Sequence, residues 1–560
     1  MFKKSQASSV PDLFGSIVGN LQGARYTMFS NNKSWHNLFH QYITSKIEES
    51  KFSILFSDKM GAPNAPLRIL IGMMIIKEGF GWSDAQLFEQ VNFNMLVMHS
   101  LGLTNINDKI PCLATYYNFK KALYEHQIST GEDLVGVMFE DLTREQADLF
   151  GVRGTFSRMD SKLIGSNIAK CSRLQLILSV LQVFYKDIKD KEVSSKLKQE
   201  DKEQLEQIIK QKPGNLVYGL DNKEKEEFLK KLGYLLLNIQ NTFTDDDSNK
   251  YGLIVRVFSE QYSVECEEVE LKSVKEIQAD SLQSPFDEDA SFRNKNGTKV
   301  KGYSVNLTET CNEEDLNLIT DVKVENATAA DNDFVEGSIE RSQQIVGHID
   351  HLNVDGAYHS EDNQQYAKKN KTELLLSGIQ GKKGKYNFDI KENGQIEVTN
   401  TETGEIKIAE QYKSGKYKIE ENGKYIYFTH TTVMKYIQRK AVEAIPQEEK
   451  NRRNNVEASI FQLSYFTRKN KTRYRGQIKH QMWAFNRCLW INLIRIKNYI
   501  GELYPLFPEF CKNQPILTEN AYLLTVFANN FKDFVKNWSS MIKYFFRMIL
   551  GNKISYLQIC

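Results

Sequence analysis

Apolar and polar positions change their period several times along this 560-residue chain, and each change marks a new unit. From residue 35 to about 148 the spacing is helical. Pro66-Leu-Arg-Ile-Leu-Ile-Gly-Met-Met-Ile-Ile-Lys reads as a buried helix start, with proline where no amide hydrogen is needed. Ser83-Asp-Ala-Gln86 has the form of a capping box opening the next helix, and Thr115 to Lys121 begins a third. The pattern predicts an all-α domain over 35–148, preceded by a mobile arm over 1–34.

Residues 149–186 then read as a core strand with a following helix. A charged insertion follows over 187–283. It begins with Lys/Glu-rich helix and continues, after Asp247, with a strand-like run from Tyr251 to Val257. The core resumes over 284–378, where Tyr303, Val305 and Leu307 alternate as a half-buried strand should. Over 379–431 short β-type runs alternate with turns at Glu392-Asn-Gly, Thr403-Gly and Glu421-Asn-Gly, a pattern of hairpins. Residues 432–500 hold a helix and a basic stretch, and 501–560 form a helical, aromatic-rich end suited to packing or an oligomer surface. The fold class is therefore α/β: a mixed sheet core with flanking helices, an all-α N-terminal domain and a β-rich insertion.

Composition narrows the setting. Hydrophobic residues make up 41% and charged residues 26%, as in ordinary soluble proteins, and no apolar run is long enough for a bilayer span. The start Met-Phe-Lys-Lys-Ser-Gln lacks the apolar core of a signal peptide. Seven scattered cysteines without a Cys-x2-Cys pair argue against zinc modules and disulfides, and for a reducing, cytoplasmic setting. The net charge of +2 conceals segregation: over 431–500 there are fifteen Lys and Arg against four Asp and Glu, and over 191–280 fourteen against nineteen. Tyr465, Phe466, Tyr474 and Trp483 interleave with Arg468, Lys469, Lys471, Arg473, Arg475 and Lys479. That mixture favours a nucleic-acid surface over a merely solvated face.

Three carboxylates stand where metal ligands would be useful. Asp160 lies in the strand-like Thr-Phe-Ser-Arg-Met-Asp-Ser-Lys, and Asp355, within Leu-Asn-Val-Asp-Gly-Ala-Tyr, ends a strand-like run at an Asp-Gly turn. Glu457 lies on a helix, after Pro446 with Glu448 and Glu449, at the edge of a stripe made by Val456, Ile460 and Leu463. Two strands and a crossing helix are able to bring three acids to the carboxyl end of an open sheet. Singly each acid is an ordinary turn former or surface residue. Asp287 and Asp289 form a competing acidic pair, read as structural. His359 reads as a solvent-facing imidazole near Asp355.

The ordered set resembles the DDE transposases of bacterial insertion sequences, which have an RNase H-like core. The resemblance extends over roughly 40–500, through Ser284 to Lys295, Lys301 to Cys311, Asn317 to Val324 and the basic Lys471 to His480. It implies that Asp160, Asp355 and Glu457 form the catalytic triad and hold two Mg²⁺ ions, with Mn²⁺ able to substitute. Arg453 matches the Arg of the family signature Tyr-x2-Arg-x3-Glu-x6-Lys, and the chain departs from it with Lys450 and Ser464 at the two ends. The resemblance further implies an N-terminal domain that grips terminal inverted repeats and a β-rich insertion that packs on the element end. The implied chemistry is cleavage by water to free a 3′-OH, then attack of that hydroxyl on target DNA, carried out by at least a homodimer. Arg453, Arg468, Lys469, Lys471, Arg473, Arg475, Lys479 and, more weakly, Lys162 would hold DNA phosphates.

Overall fold

In the computed structural model the described residues are 1–4, 15–57, 63–378, 384–444, 446 and 456–506, apart from single positions 267, 296, 314, 392 and 414; for positions 438, 441 and 502–506 the description covers the backbone only. Arg453, the helix entry around Glu448 and Glu449, and residues 507–560 of the C-terminal segment lie outside them.

The helical N-terminal pattern forms α1 (Leu67–Phe80), α2 (Leu113–Thr130) and α3 (Leu134–Phe150), with shorter helices between. Both halves of the capping box are made: Ser83 accepts from the amide of Gln86, and the Gln86 side chain accepts from the amide of Ser83. Part of the 1–34 stretch is ordered rather than an arm. Residues Gly23–Phe29 are helical, and Ile17 is fully buried beside a bridge from Ser16 to Asn105.

The sheet begins with β1 (Gly154–Gly165). The next helix, α4 (Arg173–Ile188), does not return to it. Its apolar face packs with Leu205, Leu232, Leu236, Ile254 and Val257 in a separate core, so the inserted unit begins at this helix. Within that unit the expected strand at Tyr251 is the helix Tyr251–Gln261. Its Ile and Val are β-formers, yet Leu253, Ile254, Val257, Phe258 and Gln261 fall at helical spacing and all are buried. Tertiary packing overrides propensity there.

The chain re-enters the sheet through β2 (Ser291–Lys295), β3 (Thr298–Thr310) and β4 (Ile319–Asn326), crosses by α5 (Val335–Val346), and adds β5 (Ile349–Val354) and β6 (Glu373–Leu376). β3 is antiparallel to β1, β2 and β4, whereas β1, β5 and β6 run parallel, so the sheet runs β2-β3-β1-β5-β6, with β4 also paired to β3. β3 differs from the half-buried strand its alternation suggests. Residues 302–311 are buried on both faces. The face carrying Tyr303, Val305 and Leu307 joins the main core, and the other uses small polar side chains that bond to α5 and its neighbours: Thr308 to Ser338 at 2.5 Å and Asn306 to Tyr358 at 2.8 Å. Buried polar groups are tolerated when they are paired in this way.

Two three-stranded meanders, Tyr386–Ile390 with Ile396–Asn400 and Ile406–Ile408, and Glu410–Lys413 with Lys416–Glu421 and Lys424–Thr429, fill the β-rich insertion. They pack on the helix His430–Ala444, which the sequence pattern did not single out. After it come α6 (Val456–Ser464) and the long α7 (Gln477–Leu506).

α7 joins the N-terminal helices to the sheet. One continuous core contains Leu70 and Met73 of α1, Phe139 of α3, Val305 and Leu307 of β3, and Leu489, Trp490 and Leu493 of α7. Gly79 allows the close approach: a Cβ there would lie 2.2 Å from the Trp490 ring. α7 also covers an edge of the sheet. Gln481 exchanges hydrogen bonds with the backbone of Val324 and Val322, at 2.7 and 2.8 Å, and Asn492 does so with Ile319, at 2.8 and 3.0 Å. Strand β4 thus finds amide partners without another strand.

Candidate active site

Two carboxylates stand near the point where β1 and β5 part. The parallel pairing of these strands ends with Arg158 opposite Asn353. Continuing that register by two residues sets Asp160 level with Asp355, on the same face. There β5 ends and the chain enters the short turn Gly356–Tyr358, while β1 continues beside β3 to Gly165. The opening lies at the carboxyl end of a strand, between a parallel and an antiparallel neighbour, where open α/β sheets place their ligands. Asp160 Oδ1 accepts from the Ser161 amide at 2.8 Å, and Asp355 Oδ1 from the Gly356 amide at 2.6 Å. Both acids are half-buried.

Alternation along β1 puts Arg158, Asp160 and Lys162 on one face, and α6 packs against this strand. Val456, Ile460 and Leu463 of α6 are buried, whereas Glu457 is exposed on its first turn. Two ties set the helix against the strand. Lys162 Nζ donates to Ser464 Oγ at 2.7 Å. At the other end Arg158 meets Glu309, directly opposite on β3, at 2.6 Å; Arg495 reaches the second Glu309 oxygen at 2.6 Å and Ser459 of α6 also at 2.6 Å. Glu457 precedes Ser464 by seven residues, so the two share a side of α6, about 10 Å apart along its axis. Asp160 precedes Lys162 by two, or about 7 Å along β1. Helix and strand carry the two acids in the same direction from their shared contact.

Glu309 itself has no exposed side-chain surface. Burial opposes its charge, yet Arg495 and Arg158 together hold its carboxyl below the ordinary glutamate value. The Lys162 amine is pushed down by burial. Neither Glu309 nor Arg495 stood out in the sequence. A glutamate inside the otherwise uncharged run from Tyr303 to Thr310 was the available signal.

The donor chemistry of Asp160 and Asp355 fits a hard divalent cation, which takes few carboxylates together with substrate oxygens. Among the described residues no group of three or more His, Cys, Asp or Glu is placed to hold a metal ion, so Asp160, Asp355 and Glu457 do not form one. Asp331, 7% exposed, accepts from Ser161 at 2.7 Å and is another acid near this end of β1.

The remaining candidates divide by what they touch. Arg473 donates to the carbonyls of Gly81 and Trp82, Arg475 to that of Asn167 at 2.7 Å, and Lys471 to that of Ile168. These three cations fasten the basic loop to the N-terminal helices and to the segment after β1. Arg468, Lys469 and Lys479 are exposed, with the Lys479 amine 4.6 Å from the Tyr124 ring centre. Asp287 accepts from Tyr303 at 2.5 Å and from Ser166, and Asp289 accepts from the first amide of α7 at 3.2 Å. His359 is not simply solvent-facing. It is half-buried, and its Nε2 is buried without a hydrogen-bond partner, beside a cleft of about 890 Å³.

Residues 26–122 match the family model described as Transposase domain (DUF772). This span includes α1 and most of α2, the helices that meet the sheet through α7. No curated protein and no solved structure matches the chain. No helix among the described residues is long and apolar enough to cross a membrane.

Proposed function

We propose that the protein is a DDE-type transposase that cuts DNA at the ends of an insertion sequence and joins the freed 3′-OH ends to target DNA. What supports this reading is the register of the adjacent parallel strands β1 and β5, which continued by two residues would bring Asp160 opposite Asp355, in a chain whose residues 26–122 match a transposase domain. The strand path with three antiparallel members followed by two parallel ones supports an RNase H-like core.

Asp160 and Asp355 would hold the divalent metal, Mg²⁺ or Mn²⁺, and Glu457 would complete its ligand set from the first turn of α6. Bound there, the metal would supply an activated oxygen nucleophile and charge neutralisation at the phosphodiester. The chain's own part is positional. The two ties of α6 to β1 set the direction of approach of Glu457, and Arg468, Lys469 and Lys479 offer exposed cations to DNA phosphates. Pairing two ends calls for at least a dimer.

The test uses purified full-length protein, Mg²⁺ or Mn²⁺, a labelled duplex carrying the element's flanking ends, and a target plasmid. Wild type is compared with Asp160→Ala, Asp355→Ala and Glu457→Ala. Metal-dependent nicking and joining, lost in each variant, is the expected result. Cutting without joining would make the protein a nuclease, and DNA binding with no metal-dependent chemistry would leave it a DNA-binding regulator.

A further inference from the structure

A second site lies away from the carboxylates, between α1, α2, the basic loop and α7. It is a cavity of about 300 Å³ lined in part by Tyr116, Tyr117, Lys120, Tyr474, Trp483 and Asn486. Asn486 is 2% exposed; its Nδ2 donates to the Met482 carbonyl at 2.7 Å, while its Oδ1 is buried with no hydrogen-bond partner. Burying an acceptor unpaired is costly, so such an atom beside a cavity marks the place of an absent donor. Aromatic surface surrounds it: Tyr116 and Trp483 are buried, whereas Tyr117 is 44% exposed. The Lys120 amine lies 5.0 Å from the Tyr116 ring centre and 5.9 Å from those of Tyr117 and Tyr474. Exposed Lys121 and Lys479 complete a cationic lining, against which stands Glu78, whose carboxylate accepts from the Tyr474 hydroxyl.

We propose that this cavity binds a nucleobase with its attached phosphate: the ring stacks among the tyrosines and Trp483, an N–H on its edge donates to Asn486 Oδ1, and Lys120, Lys121 and Lys479 take the phosphate. An apolar ligand would leave the orphaned acceptor and the lysines unused, and a bare anion would leave the aromatic walls unused. A base on a sugar-phosphate uses all three features. The same chemistry is offered by a free nucleotide and by one base of a DNA strand. The strand source rests on the reading that the protein acts on DNA; the free nucleotide does not.

Full-length protein is titrated with dAMP, dTMP and deoxyribose 5-phosphate, read by quenching of tryptophan fluorescence. In a second arm it meets a short single strand carrying one 2-aminopurine, and the same strand with an abasic site there, read by 2-aminopurine emission and by anisotropy. Removing the stack or the acceptor is expected to weaken base-dependent binding about tenfold in Tyr117→Ala and Asn486→Leu, while the abasic strand binds wild type and variants alike. Tyr117 is surface-exposed, so its variant keeps the test open if Asn486→Leu fails to fold. Saturable quenching by mononucleotides alone would assign the site to a free nucleotide, and 2-aminopurine quenching would assign it to a strand. Strand binding that ignores the base, with no response to mononucleotides, overturns the cavity proposal and leaves DNA action standing. Mononucleotide binding without any strand binding keeps the cavity as a free-nucleotide site and overturns the strand source.

Discussion

Glu309→Gln removes the negative charge held between the guanidiniums of buried Arg158 and half-buried Arg495 and leaves its shape almost unchanged. The Glu309 side chain has no exposed surface, and those of Arg158 and Arg495 are 11% and 19% exposed, with ion-pair distances of 2.6 Å on both sides. Removing one member of a buried ion pair costs about 3–5 kcal/mol, because the partner charge stays buried without compensation. For a cooperative unit of a few hundred residues that is a fall of roughly 6–20 °C in melting temperature. The sign of its pH dependence follows from the lowered carboxyl. A depressed folded-state value contributes stability above the ordinary glutamate value of 4.5 and loses it as pH falls through the folded value. Differential scanning calorimetry of wild type and variant at neutral pH, and again below about pH 4, reads both effects. The deficit should be large at neutral pH and narrow in acid. A second variant, Arg158→Met with Glu309→Leu and Arg495→Met, should recover much of the loss, since an apolar core of similar volume leaves no charge to compensate. A melting temperature for Glu309→Gln within about 2 °C of wild type would refute the argument that this network holds α6 against β1.

Three further outcomes are expected. Gly79→Ala drives a methyl against the Trp490 ring and should destabilise by about 1–3 kcal/mol or more, visible as a lower melting midpoint and altered tryptophan emission. Ser83→Ala removes one bond of the observed capping box and should cost about 0.5–2 kcal/mol by the same melt, a smaller effect than at Gly79. Burial and the nearby Lys77 push the Lys120 amine down to about 8, with Lys479 acting in the same sense and Asp84 and Glu78 opposing. Nucleotide affinity should therefore fall as pH rises through about 8, and Lys120→Arg should flatten that profile because its guanidinium stays charged.

Local chemistry was the most legible part of the chain. The Ser83 and Gln86 pair stated its cap, Pro66 its helix start, and Asp355-Gly356 the end of a strand, because each depends on residues a few positions apart. What escaped depends on partners far along the chain. The helix at Tyr251 looked like a strand because Ile254, Val255 and Val257 are β-formers, and its period becomes decisive only once neighbours such as Leu232 and Leu236 supply a wall to bury against. The sequence reads Arg473 and Arg475 as phosphate ligands, and only the fold shows that carbonyls of Gly81, Trp82 and Asn167 also lie within reach of these exposed cations. Of the candidate site, the strands around the two acids were legible: β1 contains Asp160, and β5 ends just before Asp355. The link from Glu309 to the Glu457 helix was not, since it joins four elements separated by hundreds of residues.

The inserted helical unit has a consequence for how the chain reaches this fold. Topologically β1 and β3 are two arms of one antiparallel pair, and the insertion is the loop between them. A flexible loop on the order of 100 residues would raise the entropic cost of bringing the arms together by roughly 3 kcal/mol over a tight turn. The insertion has its own core, and its two ends are already adjacent: Cys171 Sγ lies 3.7 Å from the Gln283 carbonyl, and Ser166 bonds to Asp287. Once that core has condensed, the loop left to close is a short one, and the entropic cost of bringing the strand carrying Asp160 to its partner falls accordingly.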